Sequence, residues 1–418
     1  MESTQEERLL IISNNVLSNT RNNGKTIFSY IDSLKRENVA QLYFNGERPS
    51  IEGYRYFQIT DKDVLRGLFS KSKRGRALCD AEGGTKEVAT VAPKLKKSVF
   101  RFFRELLWKN KWQSDQLFDW VENFAPTAVF FVGGDCVFAY DICEYIVKKY
   151  QARLSLYITD DYIMPRKKES FIEKARRKKI KESMERCLKS ADAFFTVSEL
   201  MRKEYRELFG RDSSVIVNLS EPLKMEEGFS KNQDYTFMYA GSLYYGRDEI
   251  LGKISRALAE YNQTHAKKAI LKVYSNSEPP LDTKSKFIID GTSEYCGSLD
   301  RDELKVSLNR SDVLVFVESF DEEQMEKTRY SLSTKVPEYL SVGKPILAVG
   351  PMGIGSIDYL ADVALCVQDA KELNQKITAL LDNPSLRDQI AVACENKYKN
   401  NHNKEDLQRN FVEQIFGC

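Results

Sequence analysis

Strand-like apolar runs alternate with helix-like segments along this chain, and the alternation runs through twice. In the first half the strand-like runs fall at residues 8–13, 39–44, 54–59, 128–132, 154–159, 193–197 and 215–217. Helical spacing separates them at 24–35, 114–123, 137–149, 170–189 and 199–209. Alternation of this kind is the signature of a mostly parallel sheet covered by helices on both faces. It breaks at 221–234, EPLKMEEGFSKNQD, which has no periodicity and many turn formers. It then restarts, with strands expected at 236–240, 270–274, 313–317, 346–349 and 364–367 and helices between and after them. At 418 residues there is ample chain for two separate cores. The expected organisation is a Rossmann-like domain at 1–220, a linker at 221–234 and a second Rossmann-like domain at 235–398. The tail at 399–418 is spaced as a helix by Leu407, Phe411 and Ile415, free to return to the first domain.

Composition narrows the class of protein. Hydrophobic residues make up 42% and charged residues 30%, which describes a globular chain rather than a membrane-spanning one. No apolar run is long enough for a spanning helix, and the opening MESTQEER is too polar and acidic for a signal peptide. The eight cysteines (79, 136, 143, 187, 296, 366, 394 and 418) show no CxxC spacing, so they are expected as buried, reduced thiols of a cytoplasmic protein. The formal net charge is +2, yet residues 1–230 carry 40 basic against 33 acidic residues and the remainder 23 against 28. Two halves of opposite sign suggest two units with different partners. Near-neutral overall charge and the lack of a reading module argue against nucleic acid.

The strand ends of the second half carry the chemistry. Between the strands at 313–317 and 346–349 lies Ser331–Pro345, SLSTKVPEYLSVGKP. A polar loop that opens a helix after a strand is where open α/β sheets bind ligands. Pro337 suits the first helical turn and Gly343 suits the end. Glu338 would then sit near the helix N-terminus, able to accept hydrogen bonds from ribose hydroxyls, and Lys335 with the free N–H groups can meet phosphate oxygens. The run YAGSLYYGRD at 239–248 also ends a strand and opens a helix. There Gly241 and Ser242 allow close backbone approach, and Arg247 can pair with a diphosphate. A third glycine-containing loop, 350–355 with Gly353, follows the next strand. Near the N-terminus, Gly24 follows the first strand and an Asn-rich loop.

Lys335, then Glu338-Tyr339-Leu340, then Gly343-Lys344-Pro345 resembles the donor-sugar loop of glycosyltransferases with the two-domain GT-B fold, especially family 4. The glycine-rich turn before Arg247 resembles the first strand–loop of that family's donor domain, and Gly24 resembles the flexible-loop glycine after its first strand. Thr159-Asp160-Asp161-Tyr162 and the run ADAFFTVS at 191–198 resemble segments of polysaccharide-assembly members. The resemblance covers most of the chain. It implies an α/β protein of two Rossmann-like domains facing each other across a cleft, the first binding the acceptor and the second the donor. It further implies a retaining, metal-independent enzyme with no cofactor, taking a nucleotide sugar (UDP-sugar foremost) as substrate. Arg247, Lys335 and Asp161 would be catalytic; Gly24, Gly241, Ser242, Arg247, Lys335, Glu338 and Gly353 would bind the donor. The acceptor would be a glycan or lipid-linked glycan of bacterial surface polysaccharide synthesis. If the sugar centre is inverted, Asp161 or Asp135 is the expected base.

Two departures stand out. The family's second glutamate should fall eight positions before Glu338, where Tyr330 stands, and its acceptor-domain histidine is missing, since His265 and His402 both lie in the second half. Two other functions stay open on the sequence. Gly24-Lys25-Thr26 after a strand resembles the end of a phosphate-binding P-loop of a nucleotide hydrolase, although the motif's first glycine is replaced by Asn19. Tyr330 in place of glutamate also leaves room for a catalytically silent GT-B subunit of a transferase complex.

One segment outside these loops has its own character. Residues 93–112, PKLKKSVFRFFRELLWKNKW, place Leu95, Val99, Phe102, Phe103 and Leu106 at helical spacing among basic residues. A cationic helix with an aromatic face suits the surface of an anionic membrane, so peripheral attachment at the inner face of the cell membrane is expected. The rival expectation is a core-facing amphipathic helix with a solvated basic side.

Overall fold

The computed structural model describes residues 6–19, 22–67, 74–78, 97–225 and 233–417. Part of the expected linker, residues 93–96 of the basic segment, Cys79 and Cys418 lie outside the described residues. The chain divides into two compact units. The first comprises residues up to Val197, then Arg202–Ile216 and the segment from Glu405 onward; the second comprises Ser198–Met201 and Val217–Lys404.

The first unit is built on an eight-stranded sheet. Its strands are β1 (Leu9–Ser13), β2 (Val39–Tyr43), β3 (Arg55–Gln58), β4 (Arg76–Leu78), β5 (Ala128–Gly133), β6 (Arg153–Ile158), β7 (Ala193–Thr196) and β8 (Ser214–Val215). They lie in the order β4-β3-β2-β1-β5-β6-β7-β8, parallel except for β4. The apolar runs explain the arrangement: β1, β2 and β5 are buried along their whole length, as strands covered on both faces must be. β1 is central, with Leu9 opposite both Val39 and Ala128. The chain runs outward from it to β4 and then resumes on its other side at β5, which makes a topological switch point between β1 and β5. A buried polar residue shapes the loop there. Gln41 Nε2 donates to Ser13 Oγ and to the Asn15 carbonyl, while its Oε1 accepts from the Leu17 amide at 2.9 Å. The helix Lys404–Phe416 belongs to this unit: Phe411 packs against Tyr30, Phe130 and Phe195.

The second unit has six parallel strands, β9 (Tyr235–Ala240), β10 (Ala269–Tyr274), β11 (Ser293–Tyr295), β12 (Val313–Val317), β13 (Ile346–Val349) and β14 (Leu365–Val367). Their order is β11-β10-β9-β12-β13-β14, so the switch point falls between β9 and β12. The edge strands β4 and β11 are not apparent as apolar runs. Each is three residues long (RAL and SEY), only partly buried, and needs no two-faced hydrophobic pattern. The short helices Asp61–Arg66, Leu281–Phe287 and Glu322–Thr328 are likewise too brief for periodicity to show, although Thr60 and Asp63 form a capping box at the first.

Candidate active site

In the second unit, the loop after β9 is held open by two tyrosines. The Tyr239 hydroxyl donates to the Ser242 carbonyl at 2.5 Å, and a Cβ on Gly241 would lie 2.9 Å from the Tyr239 hydroxyl oxygen, so a side chain at 241 would have to displace that ring. The Gly241 amide donates to the Tyr274 carbonyl at the end of β10. Two consecutive left-handed residues, Tyr245 at φ 63° and Gly246 at φ 72°, then turn the chain into the helix Arg247–Thr264.

The helix Lys335–Val342 faces this loop. Ser333 Oγ accepts from the Lys335 amide, and Gly343 ends the helix in the left-handed conformation. Tyr339, 1% exposed, ties the helix to β9: its hydroxyl accepts from the Ala240 amide at 2.9 Å and donates to the Ala240 carbonyl at 3.4 Å. The residue next to Glu338 thus fixes the residue next to Gly241.

Between these elements, at the carboxyl ends of β9 and β10, lies a cavity of about 450 Å³. Gly241, Ser242, Tyr244, Tyr274, Asn276 and Lys335 contribute to its walls. Lys335 Nζ is 3.6 Å from Glu338 Oε2, whose side chain is 17% exposed. The Lys335 ammonium thus brings a cation to a cavity walled in part by the Gly241–Ser242 backbone, with Asp248 and Glu278 also on its lining; the first-turn amides of its helix are spent, Lys335 and Val336 on Ser333, and Pro337 has none.

Of the residues expected at the site, Gly241, Ser242 and Lys335 line this cavity, and Glu338 is reached through Lys335. Arg247 is not on the wall. Its Nη2 donates to Glu318 Oε1 at 2.8 Å, and the Glu318 side chain is 3% exposed. Burial pushes the Glu318 carboxyl up from its ordinary value against the pull of Arg247. Burial opposes the Arg247 charge too, but Glu318 together with Tyr239 and Tyr245 holds the guanidinium above its ordinary value. Gly353 stands in the loop after β13 at φ 82°, and its amide donates to Asp358 Oδ1 within the same turn. Tyr330, where the resemblance expects a glutamate, is buried.

Gly24 and Asp161 belong to the first unit. Gly24 lies in the helix Asn22–Ile31, where a Cβ would come 2.2 Å from the Val16 carbonyl oxygen, so it packs backbone on backbone. Asp161 Oδ1 accepts from the amides of Ile163 and Met164 and lies 3.9 Å from Arg177, the geometry of a turn-capping carboxylate. Asp135, at the end of β5, is 34% exposed and within 3.5 Å of both Arg101 and Arg176. It borders a smaller cavity of about 100 Å³ with Asn14, Asn23, Thr159 and Tyr162.

Tyr239 and Tyr339 stand inside the two motifs read from the sequence, but nothing there shows that their hydroxyls bond the Ser242 carbonyl and the Ala240 backbone. Asn276 had a weak sequence signal, the turn SNSEPP directly after a strand.

The helix Lys97–Trp108 of the first unit turns Arg104, Glu105 and Trp108 inward: Arg104 and Trp108 both donate to Asp61 Oδ1, and Glu105 accepts from the amides of Val137 and Phe138. Phe103 is 56% and Leu106 62% exposed. The side chains of Val99 and Phe102 lie outside the described residues. Among the described residues no helix is long and apolar enough to cross a membrane.

No family model and no curated protein matches the sequence. Solved structures do. The trehalose-6-phosphate protein from E. coli bound with UDP-2-fluoro glucose is 13% identical, with a TM-score of 0.63 over 99% of both chains. HepE from Anabaena in complex with UDP is 11% identical, with a TM-score of 0.63 over 98% of this chain and 100% of the other. The UDP-forming α,α-trehalose-phosphate synthase from Burkholderia vietnamiensis is 12% identical, with a TM-score of 0.61 over 99% and 100%. Identity this low speaks to architecture alone, and on that footing the chain has the α/β, doubly Rossmann-like GT-B fold of these structures.

Proposed function

We propose that this protein is a glycosyltransferase that takes a sugar from a nucleotide diphosphate held at the carboxyl ends of β9 and β10. The observation that carries the reading is the cavity of about 450 Å³ there, with Lys335 and the Gly241–Ser242 backbone on its walls. Sugar transfer of this kind depends on stabilising the charge that grows on the departing diphosphate. Lys335 supplies that stabilisation, and Glu338 takes the ribose hydroxyls. UDP is the proposed nucleotide, in keeping with the UDP carried by the HepE complex and formed by the Burkholderia synthase.

The finer reading follows family 4: retention at the sugar centre, no metal of its own, and a glycan or lipid-linked glycan acceptor in bacterial surface polysaccharide synthesis. Should the centre invert, Asp161 or Asp135 is the proposed base; Asp161 Oδ1 accepts from two backbone amides, and Asp135 lies within 3.5 Å of two arginines. Exposed Phe103 and Leu106 support a place for the protein at the inner face of the cell membrane.

Calorimetric titration with UDP, GDP and ATP tests the reading. Saturable binding of UDP or GDP that is weakened in Lys335→Ala is expected. Preference for ATP with magnesium-dependent hydrolysis would replace it with the nucleotide hydrolase. Donor turnover by the purified chain would dismiss a silent subunit.

A further inference from the structure

The helix Lys97–Trp108 is not the only part of the first unit that holds apolar side chains out among cations. Ser170 Oγ accepts from the Glu173 amide at 3.2 Å and so fixes the start of the long helix Phe171–Ser190. Arg177, Ile180 and Met184, at helical spacing, form its buried face. The opposite face begins with Phe171 and continues with exposed Lys174, Ala175 and Lys178. Phe171 is 87% exposed, and no large hydrophobic side chain among the described residues is more so; Ile172 beside it is 41% exposed. Residues 165–181, PRKKESFIEKARRKKIK, hold nine basic residues and two acidic ones. Both acidic residues are engaged by arginines, Glu169 by Arg177 and Glu173 by Arg176 at 3.0 Å. Lys167 and Lys168, just ahead of the aromatic, are exposed.

The two helices meet where the second begins. Arg101 Nη1 is 3.9 Å from Glu173 Oε1, and Arg101 and Arg176 both lie within 3.5 Å of Asp135. A single exposed apolar residue needs no explanation, but two short apolar segments on touching helices, each set among cations, do. The kind of cation identifies the occupant. Protein interfaces favour arginine and are depleted of lysine. Here Arg176 and Arg177 are tied to carboxylates, and the exposed cations are lysines. Lysine is the residue that lays its ammonium among anionic headgroups while an adjacent ring enters the acyl boundary. We infer that the membrane contact has two parts: Phe171 and Ile172 enter an anionic bilayer together with the helix Lys97–Trp108, and Lys167, Lys168 and Lys174 meet its headgroups. One lipid anchor alone binds marginally and a second signal makes attachment stable; two short apolar segments combine in the same way. The inference rests on the membrane placement proposed above and goes beyond it in assigning a second point of entry and the residues that make it.

Flotation of the full chain with phosphatidylglycerol-containing vesicles, and with phosphatidylcholine vesicles as the neutral control, tests it. The wild type is expected to float with the anionic vesicles and to lose affinity as salt is raised. Phe171→Asp combined with Ile172→Asp should lower partitioning about tenfold or more, the loss of one apolar insertion, with circular dichroism unchanged. Aspartate in the first turn of a helix suits its dipole, so the fold is kept; should that variant still misfold, Phe171→Ser carries the same comparison. Lys167→Gln, Lys168→Gln and Lys174→Gln together should weaken binding and flatten its salt dependence. Phe171→Trp should add emission that shifts to the blue on vesicles and is quenched by brominated acyl chains. Wild-type partitioning in the 171/172 variant, equal binding to neutral vesicles, or no quenching at Trp-substituted 171 would overturn the inference. Self-association of the wild type that the variant lacks would assign the surface to a second copy and overturn it as well. A wild type that floats with neither vesicle sinks the membrane placement and this inference together. Flotation of the wild type matched by the 171/172 variant sinks the inference alone.

Discussion

Replacing Tyr339 with phenylalanine removes one oxygen atom from the second unit and should loosen the end of β9. The side chain is 1% exposed, and its hydroxyl accepts from the Ala240 amide at 2.9 Å and donates to the Ala240 carbonyl at 3.4 Å. Burial drives the phenol far above its ordinary pKa, so the hydroxyl keeps its proton and both bonds at any pH the fold tolerates. Phenylalanine fills nearly the same volume, so the cavity contribution is small and the cost is that of a buried amide left without an acceptor. That cost is about 1–3 kcal/mol, larger than the net worth of an average hydrogen bond because the donor cannot turn to water. A two-unit chain does not unfold in one step, so a single melting temperature would blur the effect. Amide hydrogen exchange resolved by peptide is the suitable assay. The peptide covering 235–243 should lose roughly ten- to a hundredfold in protection, while peptides of the first-unit sheet keep theirs. Unchanged protection of that peptide, to within about 0.5 kcal/mol, would refute the claim that Tyr339 fastens the Lys335 helix to the Gly241 loop.

Three further outcomes are expected. Glu338→Ala should weaken UDP binding by about 1.5–3 kcal/mol, the value of charge-assisted bonds to ribose, and should leave deoxyribose analogues less affected; equal losses for both would remove Glu338 from the ribose. His402 is buried with its pKa lowered to about 4, so between that value and about 6.5 the unfolded chain takes up a proton that the folded chain refuses. Stability is therefore full above pH 6.5 and falls as acid is added, by about 3 kcal/mol over the window, and His402→Gln should flatten that part of a denaturation-versus-pH curve. Phe103→Asp combined with Leu106→Asp should abolish flotation with anionic liposomes while leaving circular dichroism unchanged; loss of the fold would show instead that the helix surface is core.

Much of the architecture was legible because parallel strands buried on both faces must be written as continuous apolar runs. The strands LLIIS, AVFFVG and VLVFV are such runs, and their positions follow almost directly. The edge strands Arg76–Leu78 and Ser293–Tyr295 were not legible, since a short edge strand needs neither length nor two apolar faces. The loops at the strand ends could be read from Gly241, Lys335 and Gly343, whose residue types are tied to backbone shape and charge. What could not be read is pairing. Arg247 and Glu318 are 71 positions apart, and Tyr339 and Ala240 are 99 apart. Nothing local marks either as a partner of the other. The bonds of Asp161 are local by contrast: its Oδ1 serves the amides of Ile163 and Met164, two and three residues on. The helix at 97–108 showed its amphipathic character in sequence, but not that Arg104 and Trp108 share Asp61 while Phe103 and Leu106 face outward.

Phe411 gives the first unit an unusual timetable. The residues it covers, Tyr30, Phe130 and Phe195, emerge from the ribosome early, whereas Phe411 follows only after the whole of Val217–Lys404 has been made. At the usual pace of synthesis, about 5–20 residues per second, that interval lasts roughly ten to forty seconds. For that time the nascent first unit carries an aromatic seam with no lid, long enough for a chaperone to find it. Ribosome-bound chains arrested just before residue 405 should accordingly be richer in bound chaperone than chains released in full.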